Sequence, residues 1–383
     1  MKKILLFSII SAIILSTYCG VAPKIEVVSA DVELGSKSAC LMDFDSKEVL
    51  FEKNSHEHLP VASMVKMMTI LITLENLEEG NITLEENVTT SEKASGMGGS
   101  QVFLDPYVDY KLGDLLKSVI MASANDGSVA LAEHIAGSEN NFVKQMNKRA
   151  KEIGMNDTNY VNCTGLPAPE QYSSAYDSAL VLSEVTKYDT YHNYSTIWMD
   201  TLVHPSGRAT ELVNTNRLVK YFAGCDGGKT GSTNEAGCCL SASAKRDDMR
   251  LISVVVGAEN SKQRFNECST LFNYGFNNFE NKKLVSSEEV LKTLPVTKGK
   301  VDSVDVYASE NFSAVVKKGD EIDYKLSQVI PESIKGGLKA GERIGKIDVI
   351  KNGEVIKEIP IVLKEDLEKM TYIDSVKNVL EKW

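Results

Sequence analysis

The sequence predicts an α/β (α+β) protein: a sheet covered by helices, followed by a small all-β sandwich. Three observations carry this. Strand-like patterns stand on either side of a long helical-period stretch before residue 279, and after it the composition turns to short β-type runs. A chain of 383 residues, 43% hydrophobic and 25% charged, is also long enough to bury two cores. The predicted boundaries are a leader over 1–30, a first domain over 31–279, the sandwich over 280–363 and an amphipathic helix over 364–383.

The elements follow in order. The opening "MKKILLFSIISAIIL" joins two lysines to an apolar run from Ile4 to Leu15, too short for a membrane span and shaped like a secretory signal. Val28 and Ala30 in "VVSAD" fit the cleavage site, so the mature chain is expected to begin at Asp31 and to be exported. "SACLMDFDSKEVLFEKN" reads as two strands around the turn "DSK", and "SMVKMMTILITLENL" as a buried helix. Between about 110 and 190, "LGDLLKSVIMASANDGSVALAEHIAG" and "ENNFVKQMNKRAKEIGM" space their apolar residues by three and four, as helices do. "GCCLSASAKRDDMRLISVVVGA" alternates and ends in a β-branched run, a strand hairpin, and "SKQRFNECSTLFNYGF" returns to helix. Beyond Phe279 come "SVDVYA", "FSAVVKKG" and "IGKIDVIKNGEVIKEIPIVL", the last with an Asn352-Gly353 hairpin signal. Met370, Ile373, Val376, Leu380 and Trp383 then recur at helical spacing.

Charge and cysteines narrow the function. The expected leader holds three lysines and one glutamate, so its removal takes the formal charge from −11 to −13, a poor match for nucleic acid. The seven cysteines, at 19, 40, 163, 225, 238, 239 and 268, have neither metal-site spacing nor the density of a disulfide scaffold. No metal and no cofactor is implied.

One pairing stands out. In "PVASMVKMMT", Ser63 and Lys66 are one helical turn apart and project side by side. A lysine is a base for a serine only when neutral, and burial among Val61, Met64, Met67 and Met68 disfavours the ammonium, as does a second nearby cation. A serine at a helix start also gains from the positive end of the helix dipole. Alone, Ser-x-x-Lys is a common pairing, a helix cap followed by a solvated lysine. Two companions follow in order: "ASANDG" places Ser123 and Asn125 in a polar turn, and "DGGKTGST" places Lys229, Thr230 and Gly231 at the start of the alternating strands. Together the three elements form the serine acyl-transferase set.

On these residues the chain resembles, over nearly its whole length, the exported serine D-alanyl-D-alanine carboxypeptidases, the low-molecular-mass penicillin-binding proteins. "GGSQVFLDP", "NTNRLV" and "MRLISVVVGA" are supporting context. The resemblance implies a penicillin-binding/β-lactamase-like transpeptidase fold. It implies Ser63 as the nucleophile, Lys66 as its base and Ser123 as a proton relay to the leaving amine. Asn125 would hold the peptide amide, Lys229 set a positive potential and act as the second cation that lowers Lys66 beyond the effect of burial, and the backbone N–H groups of Ser63 and Ser232 form an oxyanion hole. Gly231 belongs to the same strand, and Thr230 and Arg264 would bind the substrate's terminal carboxylate. The implied partners are peptidoglycan stem peptides ending in D-Ala-D-Ala, with β-lactam antibiotics as inhibitors. In relatives a C-terminal amphipathic helix docks on the membrane; residues 364–383 hold four lysines and five acids here, so only apolar insertion would support peripheral contact.

The five histidines have no triad-like neighbours in sequence, and Asp177 reads as a helix-start carboxylate. A β-lactamase would need a carboxylate to activate water, for which Glu170 is a poor substitute. A non-catalytic peptidoglycan-binding or β-lactam-sensing protein is the other alternative.

Overall fold

The computed structural model describes residues 32–320 and 323–371; the expected leader therefore lies outside the described residues. The chain runs β1 (Ser38–Asp43), β2 (Val49–Lys53), a 3-10 turn (Ala62–Val65), α1 (Lys66–Glu78), β3 (Asn87–Thr89), α2 (Glu92–Ser95), β4 (Asp109–Lys111), α3 (Leu112–Ala122) and α4 (Asn125–Ala136). It continues with α5 (Glu139–Glu152), α6 (Ala175–Val185), α7 (Asp189–Ser195), the hairpin β5 (Met199–Val203) and β6 (Ala209–Val213), and α8 (Leu218–Tyr221). β7 (Cys225–Thr233), β8 (Gly237–Arg246), β9 (Met249–Ala258) and α9 (Ser261–Asn278) complete this part.

A five-stranded antiparallel sheet, ordered β2-β1-β9-β8-β7, divides two cores. Side chains alternate across a strand, and here both faces are covered. Along β9, Ile252, Val254 and Val256 join the helical core, while Leu251 and Val255 join the core that α9 closes with Phe265, Leu271 and Phe272. α1 is buried from Lys66 through Leu74, which is why its sequence is apolar on every side rather than striped. β7 occupies the sheet's edge, so one row of its backbone groups is free of strand partners.

The remaining strands are β10 (Phe279–Val285), β11 (Lys292–Thr297), β12 (Ser303–Ala308), β13 (Phe312–Lys317), β14 (Tyr324–Val329), β15 (Ile334–Lys335), β16 (Arg343–Lys351) and β17 (Glu354–Val362). A two-stranded sheet, β10-β13, and a six-stranded sheet, β14-β16-β17-β12-β11-β15, share one core, in which Val285, Phe312 and Ala314 meet Leu294, Val306, Ile347 and Ile359. Asn352 (φ 53°) and Gly353 (φ 84°) turn β16 into β17, the I′ geometry that Asn-Gly favours. Asn281 Nδ2 donates to Asp43 Oδ1 at 3.0 Å and Lys351 pairs with Glu48 at 2.5 Å, tying this sandwich to β1 and the turn after it.

The helix expected over 364–383 does not begin at 364. Leu367 is buried in the sandwich core and bridges Leu338, and Lys369 bridges Gly299. Burying Leu367 in an existing core outweighs a helical period that the sequence itself starts only at Met370. The residues that would carry that helix, 372–383, lie outside the described residues.

Candidate active site

Ser63 is delivered by a strained turn. Ala62 has φ 49°, a left-handed conformation that a Cβ disfavours, and residues 62–65 wind as 3-10, in which positions i and i+3 eclipse. Lys66 Nζ consequently lies 2.9 Å from Ser63 Oγ. Lys66 is fully buried, and its second contact is the carbonyl of Thr164 at 2.5 Å. Burial pushes its pKa down to about 7, against the opposing pull of Cys163 and Asp126. A substantial share of the side chain is thus neutral at pH 7.

Ser123 caps the end of α3 in the left-handed region, φ 64°, and α4 begins two residues later at Asn125. The Ser123 hydroxyl accepts from Lys229 Nζ at 2.8 Å, and Lys229 also donates to the Thr230 carbonyl at 3.1 Å. Burial holds Lys229 well below the ordinary lysine range, and repulsion from Lys66 and then Arg264 lowers it further. Burial is the first cause of the lowered Lys66, and the two buried ammonium groups repel one another, so each disfavours charge on the other.

Asn125 Nδ2 donates to Gly98 O at 2.7 Å, and its N–H to Ser100 O at 2.7 Å, so the Gly-rich loop "GMGGSQ" borders the site. Asn125 Oδ1 is buried without a partner, an acceptor left available. Asp126 keeps that loop in place by accepting from the amides of Val102 at 3.0 Å and Leu104 at 3.2 Å.

β7 closes the other side. A Cβ on Gly231 would stand 2.4 Å from Val61 O and 3.2 Å from Ser63 N, so only glycine lets the strand lie this close to the serine turn. Arg264 reaches across from α9: its Nη1 donates to Gly231 O at 3.0 Å and to Ser232 Oγ at 2.9 Å, while Nε is buried without a partner. No carboxylate pairs with it among the described residues.

These walls border a cleft of about 650 Å³ whose lining includes Ser63, Ser123, Thr230, Ser232 and Arg264 together with Trp198, Arg217 and Tyr221. Lys66, Asn125, Lys229 and Gly231 stand directly behind that lining, so the structure brings all nine predicted residues together. His56 and His58 instead share Asp157, His134 pairs with Glu86, and His204 bonds Tyr110. Asp177 accepts from Asp157 N and Thr158 Oγ1, holding a loop. The six described cysteines are free thiols; Cys238 Sγ is 3.7 Å from Ser232 Oγ, whereas Cys239 is buried. Among the described residues no cluster is arranged to hold a metal ion.

Sequence reasoning missed Thr164 and its neighbours. Thr164 acts through its backbone carbonyl, which leaves no side-chain signature. Gly165, at φ 81°, would with a Cβ stand 2.0 Å from Ala62 O; the dipeptide Thr-Gly marks a turn but not what the turn presses against.

A buried lysine bonded to a serine, facing a second such pair across the free edge of a sheet, defines the serine acyl-transferases that penicillins acylate. Residues 24–260 match the D-alanyl-D-alanine carboxypeptidase family and 279–369 match the Penicillin-binding protein 5 C-terminal domain. The chain belongs to the D-alanyl-D-alanine carboxypeptidase family. It is 40% identical over 349 residues to D-alanyl-D-alanine carboxypeptidase DacF of Bacillus subtilis, covering 91% of this chain and 90% of that protein. It is 35% identical over 370 residues to DacC of Escherichia coli, covering 93% and 90% respectively. The structure of penicillin binding protein 5 from Haemophilus influenzae superposes with a TM-score of 0.70 at 31% identity, covering 89% of this chain and 99% of that one.

Proposed function

We propose that this protein is an exported serine D-alanyl-D-alanine carboxypeptidase that removes the terminal D-alanine from peptidoglycan stem pentapeptides, and that penicillin acylates it at Ser63. The observation that carries the reading is the 2.9 Å contact between Ser63 and a fully buried Lys66 whose pKa is near 7. Neutral Lys66 takes the Ser63 proton as Oγ attacks the D-Ala-D-Ala carbonyl. The N–H groups of Ser63 and Ser232 receive the oxyanion. Ser123, bonded to Lys229, passes a proton to the leaving amine, and free D-alanine departs. The unpartnered Asn125 Oδ1 accepts from a peptide N–H of the substrate. Thr230 and Arg264, a buried cation without a carboxylate of its own, take the terminal carboxylate. Water then hydrolyses the acyl-enzyme.

The cleft lining includes no carboxylate among the described residues, and Glu170 is exposed, which favours a carboxypeptidase over a β-lactamase. Export is supported by the lysine-led apolar run at residues 4–15. Among the described residues no helix is long and apolar enough to cross a membrane. Peripheral contact through residues 372–383 would rest on apolar insertion. Mass spectrometry of the protein after incubation with penicillin tests the assignment: an adduct on the peptide bearing Ser63, absent from Ser63→Ala, is expected. An adduct of equal yield on the variant would refute the nucleophile.

A further inference from the structure

The loop at residues 161–166 is held in an unusual way: its six consecutive amides all donate to side chains. Val161 N and Asn162 N donate to Gln171 Oε1 at 3.1 and 3.0 Å, and Cys163 N to Glu139 Oε1 at 3.2 Å. Thr164 N and Gly165 N donate to Asn162 Oδ1 at 3.1 and 2.7 Å, and Leu166 N to Thr164 Oγ1 at 3.3 Å. Asn162 Nδ2 closes the turn by donating to Leu166 O at 2.9 Å.

The decisive unit is the peptide group between Thr164 and Gly165. Its carbonyl accepts from Lys66 Nζ and its N–H donates to Asn162 Oδ1. In a trans peptide the C=O and N–H point in opposite directions in one plane, so holding the N–H fixes the aim of the carbonyl. Hydrogen bonds in such a chain also polarise one another, which makes the carbonyl a better acceptor. We propose that Asn162 is a positioning residue of the acylation machinery: its carboxamide aims the Thr164 carbonyl at Lys66 and so keeps the lysine's lone pair directed at Ser63. The inference rests on the reading of Lys66 as the base.

Several groups face Lys66 and set its protonation together. They are Lys229 from β7, Asp126 from α4, Cys163 from the same loop and, behind Cys163, Glu139 from α5. The Thr164 carbonyl adds an acceptor for the ammonium. Its loss leaves burial less opposed, so the protonated form becomes harder to keep. An aspartate at 162 keeps the acceptor for Gly165 N–H and adds a negative charge, which favours the ammonium. The two substitutions therefore act in opposite directions.

The test is the rate of acylation by a fluorescent penicillin from pH 5 to 9 in the wild type, Asn162→Ala, Asn162→Asp, Gln171→Ala and Lys66→Ala. For Asn162→Ala the acid limb should move to lower pH by about half a unit or more, and the plateau should fall about tenfold or more because the base is loosened. For Asn162→Asp the acid limb should move to higher pH. Gln171 anchors the same loop without touching the Thr164–Gly165 peptide, so Gln171→Ala should leave the limb unmoved, and a merely structural role for Asn162 would make Asn162→Ala behave like it. Both Asn162 variants keeping the wild-type limb while Lys66→Ala is inactive would overturn this proposal alone. Normal acylation by Lys66→Ala would overturn the base assignment and this proposal with it. If Asn162→Ala fails to fold, Asn162→Leu, which fills the space without an acceptor for Gly165 N–H, takes its place, with the same limb shift expected and an unmoved limb overturning the proposal.

Discussion

Lys66→Met should make the protein more stable at neutral pH while removing its acylation. The side chain is completely buried beside Met64, Met67 and Met68, so methionine fits the space in volume and polarity. Lowering the lysine from its ordinary 10.5 in the unfolded chain to about 7 in the fold means that at pH 7 the unfolded state binds more protons. That difference costs the wild type about 4 kcal/mol at pH 7. Against it, the variant leaves Ser63 Oγ and Thr164 O without their donor, a loss of about 1 kcal/mol each. The net gain is about 2 kcal/mol, or about 4–8 °C in Tm for a domain of this size. Removing Lys66 also relieves the repulsion it exerts on Lys229, which acts in the same direction. The sign of the pH dependence follows: wild-type stability rises with pH between about 7 and 10.5 as the unfolded chain gives up the extra proton, and the variant lacks that rise. Thermal unfolding of both proteins at pH 7 and pH 10 measures it, since titrations common to both cancel in the difference. The variant should lead at pH 7 and lose its lead by pH 10. A variant destabilised equally at both pH values would mean that the fold holds Lys66 charged and compensated, and the lysine could not then serve as a base at neutral pH.

Two further substitutions probe the walls of the cleft. Gly165→Ala places a Cβ 2.0 Å from Ala62 O at φ 81°, so the Ser63 turn must shift; acylation should fall about 100-fold, and an unchanged rate would show that the loop does not brace the serine. Arg264→Ala removes the buried cation beside Ser232, and kcat/KM for a D-Ala-D-Ala peptide should fall about tenfold or more, with little loss on a substrate amidated at its C-terminus. Equal losses on both substrates would refute a carboxylate-binding role.

Much of this arrangement is legible in the sequence because it rests on short-range spacing. Ser63 and Lys66 are one turn apart, Ser123 and Asn125 flank a helix junction, and Lys229 to Ser232 are consecutive on a strand. The strands and α9 show through their periods, as β9 does with Ile252, Val254 and Val256 on one face. What the sequence hides is carried by backbone or by distant partners. The Thr164 carbonyl and the Asp126 grip on Val102 and Leu104 join residues far apart in the chain and depend on no side-chain pattern. The β5–β6 hairpin, which brings Val213 to the cleft rim, has strand residues largely exposed on one face and no strong apolar alternation to announce it. The helical reading of 364–371 fails because a period cannot anticipate that Leu367 finds a place in the sandwich core.

The central claim is the removal of one D-alanine through Ser63. Incubating the protein and its Ser63→Ala variant with a stem pentapeptide ending in D-Ala-D-Ala, and following the peptide by mass, tests it directly. The mass of one alanine residue should be lost with the wild type and not with the variant. A peptide left intact by a wild-type protein that penicillin still labels would contradict the carboxypeptidase account and leave a protein that binds such ligands without processing the peptide.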